Sequence, residues 1–213
     1  MVDNQYVVTI SHQLGSGGAY LGQHLSDRLG IPFIDREILK KVADQLNLAV
    51  SVLEHREERL SSVWHSLARL AALSTDPTEC LSLNNYFPTD KEFFELESKY
   101  IGQIGEKSSA IFIGRCGRYI LRDHPRHIDL LIHAEMPARV QRVQQLYCLP
   151  MDEAKKLIET NDRERAAYVK TFTHQDWLDA RFYDLCLNSS TLGLEKTVDL
   201  ALACVMERIQ AGR

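Results

Sequence analysis

The chain predicts an α/β protein, a parallel sheet of about five strands covered on both faces by helices, and three observations carry that expectation. Short apolar runs at 7–10, 32–34, 110–113, 128–133 and 182–187 alternate with longer stretches of helical spacing. The runs are close to continuous in apolar residues, as strands buried on both faces are. A cluster of glycines, Gly15, Gly17 and Gly18, separates the first run from the first helix.

Val7, Val8, Thr9 and Ile10 form the first strand, a β-branched run bounded by polar residues. After Gly18, Leu21, Leu25 and Leu29 recur at helical spacing, and Gly30-Ile31-Pro32 stops the helix. The second strand, 32–34, is closed by Asp35. A helix over 37–48 carries the stripe Ile38, Leu39, Val42, Ala43 and Leu46. Another over 50–73 carries Leu53, Leu60, Val63, Trp64, Leu67 and Leu70, with Glu54 to Arg59 as a solvated, ion-paired face. Pro77, Asn84, Asn85 and Pro88 mark 74–90 as a loop able to move.

Residues 91–107 are read as a helix leading into the strand 110–113, which ends in Gly114-Arg115. The strand 128–133 precedes a helix over 137–149, and a strongly charged helix over 151–169 follows. The last strand, 182–187, passes through a turn at Ser189-Ser190-Thr191 into a terminal amphipathic helix over 194–209. The span 36–107, between the second and third strands, is too long for a simple crossover and is expected to be a helical appendage.

At 213 residues the chain can bury one domain with an appendage, or at most two small domains. A net charge of −4 argues against general nucleic-acid binding. No apolar run reaches membrane-spanning length and no secretory leader pattern opens the chain, so a cytoplasmic location is the default expectation. Cys80, Cys116, Cys148, Cys186 and Cys204 form no C-x-x-C pair and read as buried, reduced thiols.

Three glycines in the four residues 15–18 let backbone N–H groups approach an anion at the positive end of the following helix. The loop departs from G-x-x-x-x-G-K-[ST], with Gly18 at the lysine position and Tyr20 near the expected hydroxyl. Two other readings stay open: a tight turn without ligand, or a dinucleotide fingerprint in which Gly15 and Gly17 meet a pyrophosphate and Asp35 a ribose.

Further candidates are basic. Arg115 stands at the carboxyl end of a predicted parallel strand, where open α/β sheets bind ligands, or is a surface arginine. Arg139 and Arg142, three residues apart, can be solvated. Asp162-Arg163-Glu164-Arg165 reads either as an ion-paired surface or as the arginine clamp of a lid over a transferring phosphoryl group. His174, Trp177 and Tyr183 are expected to pack around the junction before the last strand, with His174 structural.

The pieces, in this order, resemble the cytidylate kinase-like family of P-loop nucleoside monophosphate kinases. The carriers are 10–18 (ISHQLGSGG), Phe33-Ile34-Asp35, Ile113-Gly114-Arg115, the segment 134–142, Asp162-Arg163-Glu164-Arg165-Ala166, and 183–192. They span most of the chain and are weakest over about 50–105.

The resemblance implies a single kinase-like domain over 1–213, with 36–107 as an acceptor-side insert and 150–172 as a lid. It implies Mg·ATP (ATP with Mg²⁺) as donor and a nucleoside monophosphate, foremost CMP or dCMP, as acceptor. His12, Gly15, Ser16, Gly17 and Gly18 would hold ATP; Asp35, Arg115, Asp162 and Arg165 would hold the acceptor; Arg139, Arg142 and Arg163 would serve the transferring phosphoryl group. Small-molecule nucleotides are thus the expected partners, without nucleic acid or membrane.

The chain also differs from the better-known members. Cys116 replaces the aspartate of G-R-D, Ile158 stands where an arginine is expected, and His12 stands where arginine is common. His12 or a lid arginine is expected to stand in partly for the missing lysine. Rival expectations are a nucleotide-binding module without turnover and, less favoured, a nicotinamide-dependent oxidoreductase.

Overall fold

A computed structural model describes residues 5–35, 90–114 and 116–211. The helical patterns at 37–48 and 50–73, most of the turn-rich stretch and Arg115 lie outside the described residues.

Among those residues the chain runs β1 (Val7–His12), α1 (Gly18–Leu29), β2 (Phe33–Ile34), α2 (Asp90–Lys107), β3 (Ala110–Ile113), α3 (Gly117–Ile120) and β4 (His127–His133). It continues through α4 (Met136–Tyr147), α5 (Met151–Thr173), a 3₁₀ turn (Ala180–Phe182), β5 (Leu185–Asn188), α6 (Ser189–Leu192) and α7 (Leu194–Ala211). The strands form one parallel sheet in the order β2-β3-β1-β4-β5. β1 pairs with β3 from Val7↔Ala110 to Ile10↔Ile113, and with β4 from Val7↔His127 to His12↔Ile132. β3 leaves on one side of β1 and β4 on the other, which opens a crevice at the carboxyl edge beside His12.

Alternation along β1 sets the two faces. Val8 and Ile10 join Leu21 and Leu25 of α1, Ile111, Leu130 and Ile132, and Val198, Ala201 and Val205 of α7 in one core. Val7 faces the other way, with Ile34, Ile101 of α2, Phe112 and Leu121. A third apolar cluster anchors the glycine loop itself: Leu14 packs with Val140 and Val143 of α4 and with Ala154, Leu157 and Ile158 of α5. Ile158 is fully buried there, so an apolar contact occupies the position where an arginine was expected.

Three boundaries differ from the sequence reading. α5 continues to Thr173 instead of ending near 169; the Thr173 hydroxyl donates to the Val169 carbonyl at 2.7 Å. His174 then closes α5 in a left-handed conformation (φ 58°), its N–H on Lys170 O, in keeping with a structural role. The final strand starts at Leu185 because Asp179 caps the 3₁₀ turn at 180–182, accepting from Arg181 N at 3.1 Å. The turn at Ser189 is a single helical turn capped by Asn188.

Candidate phosphate-binding site

The glycine loop is shaped by what happens to its carbonyl groups. Gly15 (φ 80°) and Gly17 (φ 88°) sit in the left-handed region that only glycine enters without strain. The five consecutive carbonyls of residues 12–16 are each held, four of them from outside the loop. Arg165 Nη1 donates to His12 O, Ser16 N to Gln13 O at 3.0 Å, and Arg139 Nε to Leu14 O at 2.7 Å. Arg142 Nη1 donates to Gly15 O at 2.7 Å and the Ser189 hydroxyl to Ser16 O at 2.6 Å. The N–H groups of Gly15, Gly17, Gly18 and Ala19, by contrast, donate to no described residue. Unpaired donors at the start of α1 are an anion cradle.

The loop is also closed tightly from above and behind. A Cβ on Gly15 would stand 2.8 Å from the Arg139 carbonyl oxygen, and one on Gly17 would run into Leu194 of α7, 3.3 Å from Arg142 Nη1. Gly18 is pressed against the His12 ring, where a Cβ would come 2.9 Å from Cδ2 and within 3.0 Å of Cβ and Cγ. The first position of the loop therefore carries the bulk, and the lysine position carries none. His12 Nδ1 is buried without a hydrogen-bond partner. Burial, then the Arg165 and Arg139 guanidinium groups, holds the imidazole well below its ordinary pKa, so it is neutral at pH 7.

The two α4 arginines have different surroundings. Arg139 is 3% exposed, and its Nη2 pairs with Asp162 Oδ2 at 2.6 Å while Asp162 Oδ1 accepts from Leu14 N at 3.4 Å. Arg139 and Asp162 thus clamp the back of the loop, joining α4, α5 and Leu14. Arg142 has no acidic partner among the described residues, and burial lowers its pKa. Arg163 is exposed on α5, with no hydrogen bond or ion pair to the loop. Asp35 ends the edge strand β2, two strands away from β1.

The position of Asp35 removes the dinucleotide reading. In a dinucleotide fold the strand carrying the ribose acid lies directly beside β1, whereas here β3 intervenes.

Beside the loop, on the β3 side, is a cleft between the carboxyl ends of β1 and β3, α3, and the last turns of α5. Ser11, His12, Gly114, Arg118, Arg165 and Tyr168 line it. Trp177 and Tyr183, expected at this junction, line it, and Tyr183 Oη donates to the Trp177 carbonyl at 2.5 Å. Sequence reasoning missed Arg118 and Ser189. Arg118 falls one turn beyond Gly114-Arg115 and Ser189 directly after the last strand, so both stand at the ligand-binding edge of the sheet, and that placement was the available signal.

A glycine loop between β1 and α1, set in a 2-3-1-4-5 parallel sheet with a helical hairpin packed on the loop, is the architecture of a P-loop kinase. Solved structures share the fold. An uncharacterized protein from Eubacterium ventriosum superposes with a TM-score of 0.69 at 20% identity, over 95% of this chain and 99% of that one. Shikimate kinase from Acinetobacter baumannii in complex with shikimate gives 0.53 at 10% identity (96% and 95% covered). A gluconokinase from Sinorhizobium meliloti gives 0.51 at 12% (99% and 97%). No curated protein matches the sequence. The chain belongs to the cytidylate kinase-like family, whose model matches residues 7–191. It is accordingly an ATP-dependent phosphotransferase by class. No helix among the described residues is long and apolar enough to cross a membrane.

Proposed function

We propose that the protein transfers the γ-phosphoryl group of Mg·ATP to a nucleoside monophosphate, with CMP or dCMP the foremost acceptor. The observation that carries this reading is that the five carbonyls from His12 to Ser16 are all engaged while four N–H groups of 15–19 are not, which leaves those four for the donor phosphates. The cleft alongside, with Arg165 in its wall, suits the acceptor.

In this reading an oxygen of the acceptor monophosphate forms a bond to the γ-phosphorus as the bond from that phosphorus to the ADP oxygen breaks. Such a transfer needs alignment and positive charge more than covalent help. Arg142, a cation beside Gly15 and Gly17 with no acidic partner among the described residues, supplies the charge that a loop lysine would bring. His12 is neutral and contributes packing and one buried ring nitrogen. Arg139 and Asp162 position the loop; Asp35, Arg115 and Arg165 serve the acceptor side. Residues 36–107 act as the acceptor-side insert and 150–172 as the lid.

Magnesium would come in on the triphosphate and neutralise its charge. The side chain of Ala19, the residue after the lysine position, has no oxygen to offer the ion, which would then be held chiefly by phosphates.

The test is a phosphoryl-transfer assay with Mg·ATP against a panel of ribo- and deoxyribonucleoside monophosphates, reading diphosphate product by chromatography. Product from CMP or dCMP is expected. ATP binding without product from any monophosphate would overturn the reading and favour a nucleotide-binding module without turnover, the alternative that Gly18 at the lysine position supports.

A further inference from the structure

Arg118 is the group in the cleft that neither the loop nor the helical hairpin accounts for. It lies on α3, immediately beyond the carboxyl end of β3, and lines the cleft with His12 and Arg165. Its guanidinium is held by neutral groups: Nη2 donates to Gln175 Oε1, Nη1 reaches the Phe182 carbonyl at 3.5 Å, and the rings of Phe182 and Tyr183 lie 4.7 and 5.6 Å from its central carbon. No carboxylate pairs with it among the described residues.

Of the acids nearby, Asp179 feels the Arg118 charge, but the hydrogen bonds of both Asp179 and Asp176 are made elsewhere. Asp179 makes a two-pronged pair with Arg181, at 2.6 and 2.9 Å. Asp176, which also lines the cleft, accepts from Leu178 N at 2.9 Å. Of the five N–H donors on a guanidinium, two are used, and three remain on a group already held over two aromatic rings. A half-buried, pre-oriented cation whose hydrogen bonds go only to neutral groups suits an anion that arrives with a ligand. A glutamate at 175 would hold the same geometry and cancel the charge; glutamine holds it and leaves the charge available.

We propose that Arg118 is a phosphate-binding residue of the acceptor site, gripping the monophosphate that receives the transferred group. This rests on the acceptor reading given above. It adds that the cleft recognises its substrate through an anionic group held from α3.

The experiment separates this role from a merely structural one. With the donor site filled by β,γ-methylene-ATP, CMP and cytidine are titrated calorimetrically into the wild type, Arg118→Met and Gln175→Glu. Gln175→Glu keeps the bridge between α3 and the segment before β5, so a structural Arg118 tolerates it. Thermal unfolding verifies that each variant is folded.

CMP affinity is expected to fall about tenfold to a hundredfold in Arg118→Met and several-fold in Gln175→Glu, with cytidine and ATP affinities unchanged. Equal CMP affinity in wild type and Gln175→Glu overturns the proposal while leaving the monophosphate reading intact. If the wild type binds no nucleoside monophosphate, that reading fails, and the same titrations are run with inorganic phosphate. Phosphate binding weakened by both substitutions then supports Arg118 as an anion site for another acceptor; binding that is absent or equal in all three proteins overturns it.

Discussion

Replacing Gly18 with alanine places a methyl carbon 2.9 Å from His12 Cδ2 and within 3.0 Å of His12 Cβ and Cγ, closer than side-chain carbons pack. Cβ and Cγ sit at the root of the His12 side chain and cannot swing away, so relief requires movement of the backbone at one of the two positions. Overpacking of this kind costs about 1–3 kcal/mol, against which alanine's better helix propensity offers at most ~1 kcal/mol, and less at the first position of α1. We expect Gly18→Ala to lower urea-derived stability by about 1–2 kcal/mol, or roughly 2–8 °C in melting temperature.

The partner substitutions make the test specific. His12→Ala keeps the Cβ that collides and so rescues little, whereas His12→Gly removes all three offending atoms and should abolish the penalty, a coupling of about 1–3 kcal/mol. In the His12→Gly background, Gly18→Lys recreates the usual first glycine and lysine of the loop, and ATP binding should tighten. A Gly18→Ala protein as stable as wild type, or a penalty that persists with His12→Gly, would refute the reciprocal packing of these two positions.

Other expectations follow from the same contacts. Arg139→Met strands the Asp162 carboxylate and the Leu14 carbonyl, and should cost about 3–5 kcal/mol of stability in urea unfolding along with most ATP affinity. Arg142→Ala should leave the fold intact and reduce turnover about a thousandfold, with a much smaller change in ATP affinity; equal losses in both would assign it to ground-state binding. Arg163→Ala, on the exposed face of α5, should leave turnover unchanged in the same assay. Glu97 of α2 is fully buried, and burial pushes its carboxyl up to about 8 despite the lowering effect of the hydrogen bond from Tyr168. Between the ordinary carboxyl pKa and about 8 the folded protein keeps a proton that the unfolded chain has lost, so stability falls as pH rises through that window. Urea midpoints at pH 5, 6.5 and 8 should show that decline in the wild type and a flatter profile in Glu97→Gln.

Much of the fold was legible because its signals are local. The β-branched run 7–10, the leucines at 21, 25 and 29, and the glycines that must adopt positive φ are set by side-chain shape and backbone sterics within a few residues. The loop could therefore be read as an anion cradle from sequence, and the strands at 110–113 and 128–133 lie within one residue of their observed ends.

The sequence by itself determined where the chain turns from strand to helix, and which residues could carry charge near the loop. It did not distinguish Arg139 from Arg142. They share a helix, a spacing and a charge, yet one is neutralised by Asp162, 23 residues away, and the other holds Gly15 without an acidic partner among the described residues. Strand order, which put β3 between Asp35 and the loop, came only from the fold, as did the packing of His12 on Gly18 and the anchoring of Arg118 by Gln175, 57 residues on. The physical reason is common to all of these: a charged group's role depends on which dipoles and counter-charges surround it, and here those partners arrive from distant segments only when the sheet and its helices assemble.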